Sequence, residues 1–163
     1  PLLPFGPFYF IRKAGFFKTF LLAFTWAFVT VFIPLQKTYL LLSTAGLFVF
    51  TRRFLFMLIL CIIFDNRDKA VDKIRGLHSL ATVLKPAHLR VLIYLIFVIL
   101  FATNFLYGYY GITVSQSVAL HISTLALLAV YFYSIKKRSY LFYYFFVDGM
   151  MLFSALTTYI AGI

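Results

Sequence analysis

The chain has 163 residues, of which 64% are apolar and only 12% are charged, and its mean hydropathy is +1.00. Soluble domains carry about a quarter charged residues. This composition therefore excludes a disordered chain, a secreted disulfide scaffold and an ordinary soluble enzyme. Long apolar runs along the whole length are typical of a polytopic membrane protein. The net charge of +11 does not then indicate nucleic-acid binding, because Lys and Arg in short loops set membrane orientation.

Five apolar runs are each close to the roughly 20 residues that a helix needs to cross a bilayer. They cover residues 16–35, 39–64, 91–107, 114–133 and 140–163. Backbone polar groups cannot go unpaired in lipid, so each run is predicted to be helical. We therefore expect an all-α transmembrane bundle of five spans, forming one membrane domain over residues 1–163. An aspartate-rich loop is expected at 65–90. Because the chain begins with Pro1, we expect a fragment of a longer protein.

The basic residues are distributed asymmetrically between the two sides of this predicted bundle. One side receives twelve of the fifteen, namely Arg12, Lys13, Lys18, Arg67, Lys69, Lys73, Arg75, Lys85, Arg90, Lys136, Lys137 and Arg138. The opposite side receives Lys37 alone. The positive-inside rule predicts that the basic side is cytoplasmic. The N-terminus is then inside and the C-terminus outside, and we expect a protein of the bacterial inner membrane.

The acidic residues are few and clustered. The chain has four, and three of them, Asp65, Asp68 and Asp72, follow directly on the second run. If the helix continues past the membrane face, spacings of three and four place these carboxylates on one side. Like charges on one face repel unless something neutralises them, and Mg²⁺ is commonly held by one or two carboxylates together with substrate phosphates. This face is therefore a candidate metal site.

Several basic side chains are interleaved with the aspartates. They are Arg67, Lys69, Lys73 and Arg75, followed by His78. Carboxylates beside cations suit a metal–diphosphate complex, in which Mg²⁺ bridges Asp and phosphate while Arg or Lys contacts the remaining oxygens. The alternative is a cytoplasmic loop in which the acids simply pair with the neighbouring bases.

The segment Asp68-x-x-x-Asp72, followed by Gly76 and then His78-Ser79, resembles the second aspartate-rich motif of the UbiA-type intramembrane prenyltransferases. His78 stands where that family more often has Lys or Arg. The resemblance covers essentially the whole chain, because three further pieces of it match the family. They are Asp65-Asn66-Arg67, as in menaquinone-type and bacterial members, Lys18 with Trp26 in the first run, and Asp148-Gly149 in the last.

The resemblance implies a nine-helix membrane fold around a central cavity, with two aspartate-rich motifs that hold Mg²⁺ and an isoprenyl diphosphate. This chain would supply the last five spans and the second motif. The first motif does not occur in it, so N-terminal helices of the same protein are expected to supply that motif, and the fragment alone is expected to be inactive. The implied reaction transfers an isoprenyl group from its diphosphate to a hydrophobic, often aromatic acceptor. Quinone, haem and lipid precursors all remain open as acceptors.

The same resemblance suggests roles for individual residues. Asp68 and Asp72 are the expected catalytic, metal-linked pair, with Asp65 assisting in metal binding. The diphosphate contacts are expected from Arg67, Lys73, Arg75 and Lys18. For His78 both a phosphate contact and a plain loop surface remain open.

Ionisable residues also occur inside two apolar runs. Arg52 and Arg53 lie about twelve residues before Asp65, roughly 18 Å along a helix, and Asp148 lies in the last run. Ionisable groups at such depths usually pair or line a polar cavity. We therefore hypothesise that Asp148 pairs with Arg53 or Arg52 between packed helices, in a structural role. His121, in the fourth run, is expected to be a buried hydrogen-bonded residue.

A second class of function also fits the sequence. A non-catalytic membrane module or a transporter fragment would use the intramembrane charges for helix packing or transport. Transporters place their working ionisable groups near the bilayer midplane, whereas the aspartate cluster is expected at the cytoplasmic face. A prenyltransferase relative that has lost activity is a third possibility.

Overall fold

The computed structural model of the protein describes residues 15–35, 43–76, 78–106, 113–136 and 138–162. All regular secondary structure in these ranges is helical. The helices are α1 (Gly15–Leu35), α2 (Thr44–Ile74), α3 (Leu80–Val83), α4 (Pro86–Leu106), α5 (Val114–Ser134), a π-helical segment (Phe142–Val147) and α6 (Asp148–Ile160).

Four of these helices, α1, α2, α4 and α5, are long and apolar enough to cross a membrane. The prediction of an all-α protein with membrane-spanning helices is confirmed by the length and composition of these helices. The apolar parts of these helices also leave many large side chains exposed, such as Leu22 and Val98, which is compatible with contact with membrane lipid.

The last predicted span, 140–163, does not form one regular α-helix like the other four. It divides into six π-helical residues, Phe142–Val147, and the 13 residues of α6. Neither piece alone has the roughly 20 residues that a span needs. Among the described residues, four helices therefore meet the length criterion where five apolar runs were predicted.

Helix α2 extends well beyond the predicted second span. It continues to Ile74, and Arg75 follows as its C-cap. With 31 residues it is about 46 Å long, against about 30 Å for the hydrocarbon core of a bilayer. Its apolar sequence ends at Phe64, so the aspartates occupy its last turns.

The prediction of a loop at 65–90 is therefore wrong for most of that segment. No Gly or Pro occurs between Asp65 and Ile74, so nothing in the sequence stops the helix before Gly76. Gly76 has φ +62°, a backbone conformation that favours glycine. Helix α4 begins at Pro86, earlier than predicted, because proline is well suited to the first position of a helix.

The chain divides into two compact units, residues 1–93 and 94–163. In the first unit α1 packs along α2, and α3 contacts both. Ala23 and Ala27 are fully buried on α1, and such small residues allow membrane helices to approach closely. The ring of Phe50 on α2 packs edge-on against Phe24 and Phe32 of α1, with centroid distances of 5.4 and 5.3 Å.

In the second unit, α5 packs against α6 and against the part of α4 that belongs to this unit. Ser123 on α5 shares a hydrogen bond of 2.9 Å with Thr157 on α6. The amide of Asn104 on α4 donates to Thr124 on α5 at 3.4 Å. Both contacts join buried or half-buried polar side chains across helices, as is common in membrane bundles.

Candidate functional site

The aspartate cluster lies on the last turns of α2, in the first unit. Because the helix is continuous from Thr44 to Ile74, Asp65, Asp68 and Asp72 share one helical face. The continuation of the helix beyond the apolar run, which the spacing of the aspartates requires, is thereby confirmed. The three carboxylates nevertheless have three different surroundings.

Asp65 is fixed by hydrogen bonds from two other elements. The hydroxyl of Thr19 on α1 donates to its Oδ2 at 2.5 Å, and the backbone N–H of Leu80, at the start of α3, donates to the same carboxylate. Thr19 is buried, with 1% of its surface exposed. Asp65 therefore joins α1, α2 and α3.

Asp68 is held by its sequence neighbour. Arg67 donates from Nε to Oδ1 at 2.7 Å and from Nη2 to Oδ2 at 2.8 Å, a bidentate and charge-assisted arrangement. The guanidinium also lies 5.0 Å from the ring centroid of Phe64. This ion pair is the kind of pairing that the simple-loop alternative expects, and the expected contact of Arg67 with a diphosphate stays a prediction.

Asp72 is buried, with 7% of its surface exposed. In the part of the chain that the structure describes, its carboxylate has no hydrogen-bond or ion-pair partner. The negative charges of Asp65 and Asp72 repel each other. No described group neutralises this carboxylate, and its oxygens are not fully buried, so Asp72 is the member of the cluster most available to a bound cation.

Four of the predicted phosphate-binding cations are exposed around this face. Lys18 on α1 attracts the carboxylates of both Asp65 and Asp68. Lys73, Arg75 and His78 are also exposed, and within the described ranges none of them forms an ion pair. Their charged or polar ends are therefore available to an anionic ligand.

The chain reverses direction between α2 and α3. After the turn at Gly76, the N–H of Ser79 donates to Thr82 Oγ1 at 2.7 Å, which stabilises the single turn of α3. Ser79 itself is 1% exposed, and its hydroxyl has no hydrogen-bond partner among the described residues. The Ser79 hydroxyl is thus a buried polar group without a hydrogen bond in the described part of the chain.

Replacing Gly76 with Ala is expected to lower the free energy of unfolding by about 1 kcal/mol, because a Cβ disfavours positive φ. The space around Gly76 is open, so the backbone strain is the only cost. Gly149→Ala is the matched control, since that helical position also has open space and alanine favours helix. Unfolding of both variants in detergent measures the difference. A Gly76→Ala variant as stable as Gly149→Ala would contradict the positive-φ turn.

The three carboxylates do not form a ready-made cage for a metal ion. Among the described residues, no group of three His, Cys, Asp or Glu side chains lies close enough to hold one. The oxygen donors themselves suit Mg²⁺, which usually keeps few protein ligands and completes its shell with phosphate and water. The residues therefore fit Mg²⁺ that arrives with a diphosphate, and they do not fit an all-protein site.

The intramembrane charges lie in both units. Arg52 is 5% exposed, and Arg53 donates from Nε to the Thr30 hydroxyl at 3.4 Å. Arg53 also lies 5.8 Å from the ring centroid of Phe56. Asp148 begins α6 in the second unit, where it is exposed. The predicted pairing of Asp148 with an arginine stays a prediction.

His121 is hydrogen-bonded as expected, but it is half-buried and not fully buried. Its Nδ1 is hydrogen-bonded to the Ser117 carbonyl at 2.9 Å, and its ring packs edge-on against Phe105 at 5.1 Å. In the same unit, an open apolar groove of about 670 Å³ runs along the last helix between Tyr144 and Ile160. Apolar surfaces of this kind are compatible with lipid contact.

Comparison of the chain with protein-family models, with characterised proteins and with solved structures finds no match in any of the three. The family resemblance therefore depends on the quoted residues alone. Two groups of the site were not predicted from the sequence, the Thr19 hydroxyl and the Leu80 amide. A lone Thr in the first turns of an apolar helix is too common to indicate a role, although its place beside Lys18 was a weak signal.

Proposed function

We propose that the protein is a membrane prenyltransferase of the UbiA type, which transfers an isoprenyl group from its diphosphate to a hydrophobic or aromatic acceptor. The observation that carries this proposal is the buried Asp72, which has no partner in the described ranges. It lies one helical turn beyond Asp68, beside exposed cations. A Mg²⁺–diphosphate complex would supply the positive charge that Asp72 needs and the negative charge that the cations need.

The residues divide this work between them. Asp68 and Asp72, four apart on α2, would hold Mg²⁺, which when bound neutralises the departing diphosphate and promotes cleavage of the allylic C–O bond. Lys18, Lys73 and Arg75 would contact the phosphate oxygens that face away from the ion. Their fixed positive charges stabilise the negative charge that develops on the leaving group.

The proposed topology follows from the charge distribution. In it, the apolar run 140–163 forms a fifth span, and the side with twelve basic residues faces the cytoplasm of a bacterium. The four remaining spans and the first aspartate-rich motif, which the family resemblance implies, would come from helices outside this chain. The acceptor is then selected by a cavity to which those helices contribute.

The test is equilibrium binding of a non-reactive isoprenyl thiolodiphosphate to the purified protein in detergent. We expect saturable binding in Mg²⁺ that disappears in EDTA, because the carboxylates and the diphosphate would repel without the ion. The isoprenyl alcohol of the same chain length is the control ligand, and it is expected to bind weakly with or without Mg²⁺. Equal binding of the diphosphate in Mg²⁺ and in EDTA would contradict the proposal.

A second candidate function is supported by Arg52, which is buried in the apolar part of α2. Ionisable groups inside spans mark transport pathways as well as packing contacts. A transporter or a non-catalytic membrane module would show no Mg²⁺-dependent binding in the experiment above.

A further inference from the structure

The three aspartates of the α2 face differ in whether their carboxylate oxygens already accept hydrogen bonds from other groups. Asp65 accepts bonds from Thr19 on α1 and from the Leu80 amide at α3, and both donors come from outside its own helix. Asp72 has no such donor in the ranges described. The hydrogen bonds of Asp65 connect α2 to α1 and α3. The carboxylate of Asp72 makes no such connection and is available to a ligand.

Helix geometry separates the same residues. Asp65 and Asp72 are seven residues apart, which is about 10 Å along the helix axis. Mg–O distances are about 2.1 Å, so one ion cannot easily be held by both. Asp68 and Asp72 are four residues apart, and side chains at this spacing are neighbours on the helix surface. This pair can share one ion once Arg67 releases Asp68.

We infer that Asp65 is a structural junction and not a metal ligand, and that Thr19 is the positioning residue that holds it. This inference rests on the proposed function, since it assigns the metal to Asp68 and Asp72. The junction keeps the start of α3 against the end of α2. It thereby fixes the reversal that carries Arg75, His78 and the buried Ser79 beside the metal-binding pair.

The variants are chosen to separate a junction from a ligand. Asp65→Asn removes the negative charge that a metal needs but keeps an oxygen that accepts a hydrogen bond. Thr19→Val removes the donor without changing the side-chain shape, and Thr19→Ser keeps it. Thr25→Val is the matched control on the same helix, because the Thr25 hydroxyl is exposed and donates to the Leu21 carbonyl of its own helix.

The first readout is hydrogen exchange of the backbone amides of residues 79–83. Loss of a hydrogen bond to a charged group costs about 1.5 kcal/mol, so Thr19→Val is expected to speed this exchange about tenfold. Thr19→Ser and Thr25→Val are expected to exchange as the wild type does. Unchanged exchange in Thr19→Val would overturn the junction, whatever the protein binds.

The second readout is binding of Mn²⁺ with inorganic diphosphate, followed by the electron paramagnetic resonance signal of free Mn²⁺. Asp65→Asn is expected to stay within about threefold of the wild-type affinity because it still accepts the Thr19 hydrogen bond. Thr19→Val is expected to lose about tenfold, because the start of α3 is then no longer held against α2. Thr19→Ser is expected to restore the affinity. A loss in Asp65→Asn as large as in Asp72→Asn would make Asp65 a ligand and overturn the inference.

The two readouts also separate failure of this inference from failure of the proposed function. If the folded wild type binds no Mn²⁺–diphosphate, the proposed function and the metal assignment both fail. Hydrogen exchange in Thr19→Val then still decides whether Asp65 joins the three helices.

Discussion

Replacing Asp72 with Asn is expected to lower the affinity for the isoprenyl thiolodiphosphate in Mg²⁺ by at least about 100-fold, because a ligand to the ion is lost. Asp68→Asn is expected to have an effect of similar size. Asn66→Ala is the matched control, since Asn66 is exposed on the same turn of α2. Binding isotherms of the four proteins in detergent make the comparison.

Stability should change in the opposite direction to affinity. Without Mg²⁺, Asp72→Asn removes a negative charge that repels Asp65 and has no ion-pair partner in the described part of the chain, so it is expected to unfold no more easily than the wild type. With the ligand at about 100 times its Kd, only the wild type should gain about 2.7 kcal/mol. If Asp72→Asn lowered the stability measured without ligand as well as the affinity for the ligand, the role of the Asp72 carboxylate would be structural.

Asp68→Asn tests the ion pair with Arg67 in the same two assays. The Asp68 side chain is 44% exposed, and exposed ion pairs contribute about 0–1 kcal/mol. The variant is therefore expected to be nearly as stable as the wild type while it loses binding. A large loss of stability would show that the pair with Arg67 is the main role of Asp68.

The aspartate face could be predicted from the sequence because it depends on one helix. The spacing of Asp65, Asp68 and Asp72 decides which face they share, and the absence of Gly and Pro before Gly76 allows the helix to continue. The span limits of α1 and α5 were predicted closely for the same reason, since apolar runs and helix ends are local signals.

The partners of Asp65 could not be predicted in this way. Thr19 lies 46 residues away, and the contact depends on how α1 packs along α2, which the order of residues does not reveal. The π-helical segment Phe142–Val147 was missed because hydropathy does not distinguish it from an α-helix. The burial of Asp72 depends on tertiary packing, since its charged neighbours in the sequence indicate a solvated surface.

The predicted pair between the intramembrane charges gives the second large effect. If Asp148 pairs with Arg53, as the sequence predicts, Arg53→Met and Asp148→Asn are each expected to destabilise the protein, because each then leaves the other charge without its partner. The double variant is expected to be more stable than the sum of the two losses predicts. The coupling should be about 2 kcal/mol, within the range for residues in direct contact.

A parallel cycle with Arg52→Met identifies the arginine that forms the pair. Arg53 already donates to Thr30 on α1, whereas Arg52 is the more deeply buried of the two. The coupling energy with Asp148 can therefore differ between the two cycles. Unfolding in mixed detergent–SDS micelles measures all five variants. Additive losses in both cycles would mean that Asp148 pairs with neither arginine. Coupling in one cycle, with normal Mg²⁺-dependent binding in its double variant, would mean that these charges pack helices together. A transport role would then lose its main support, because a transporter needs its midplane charges for function.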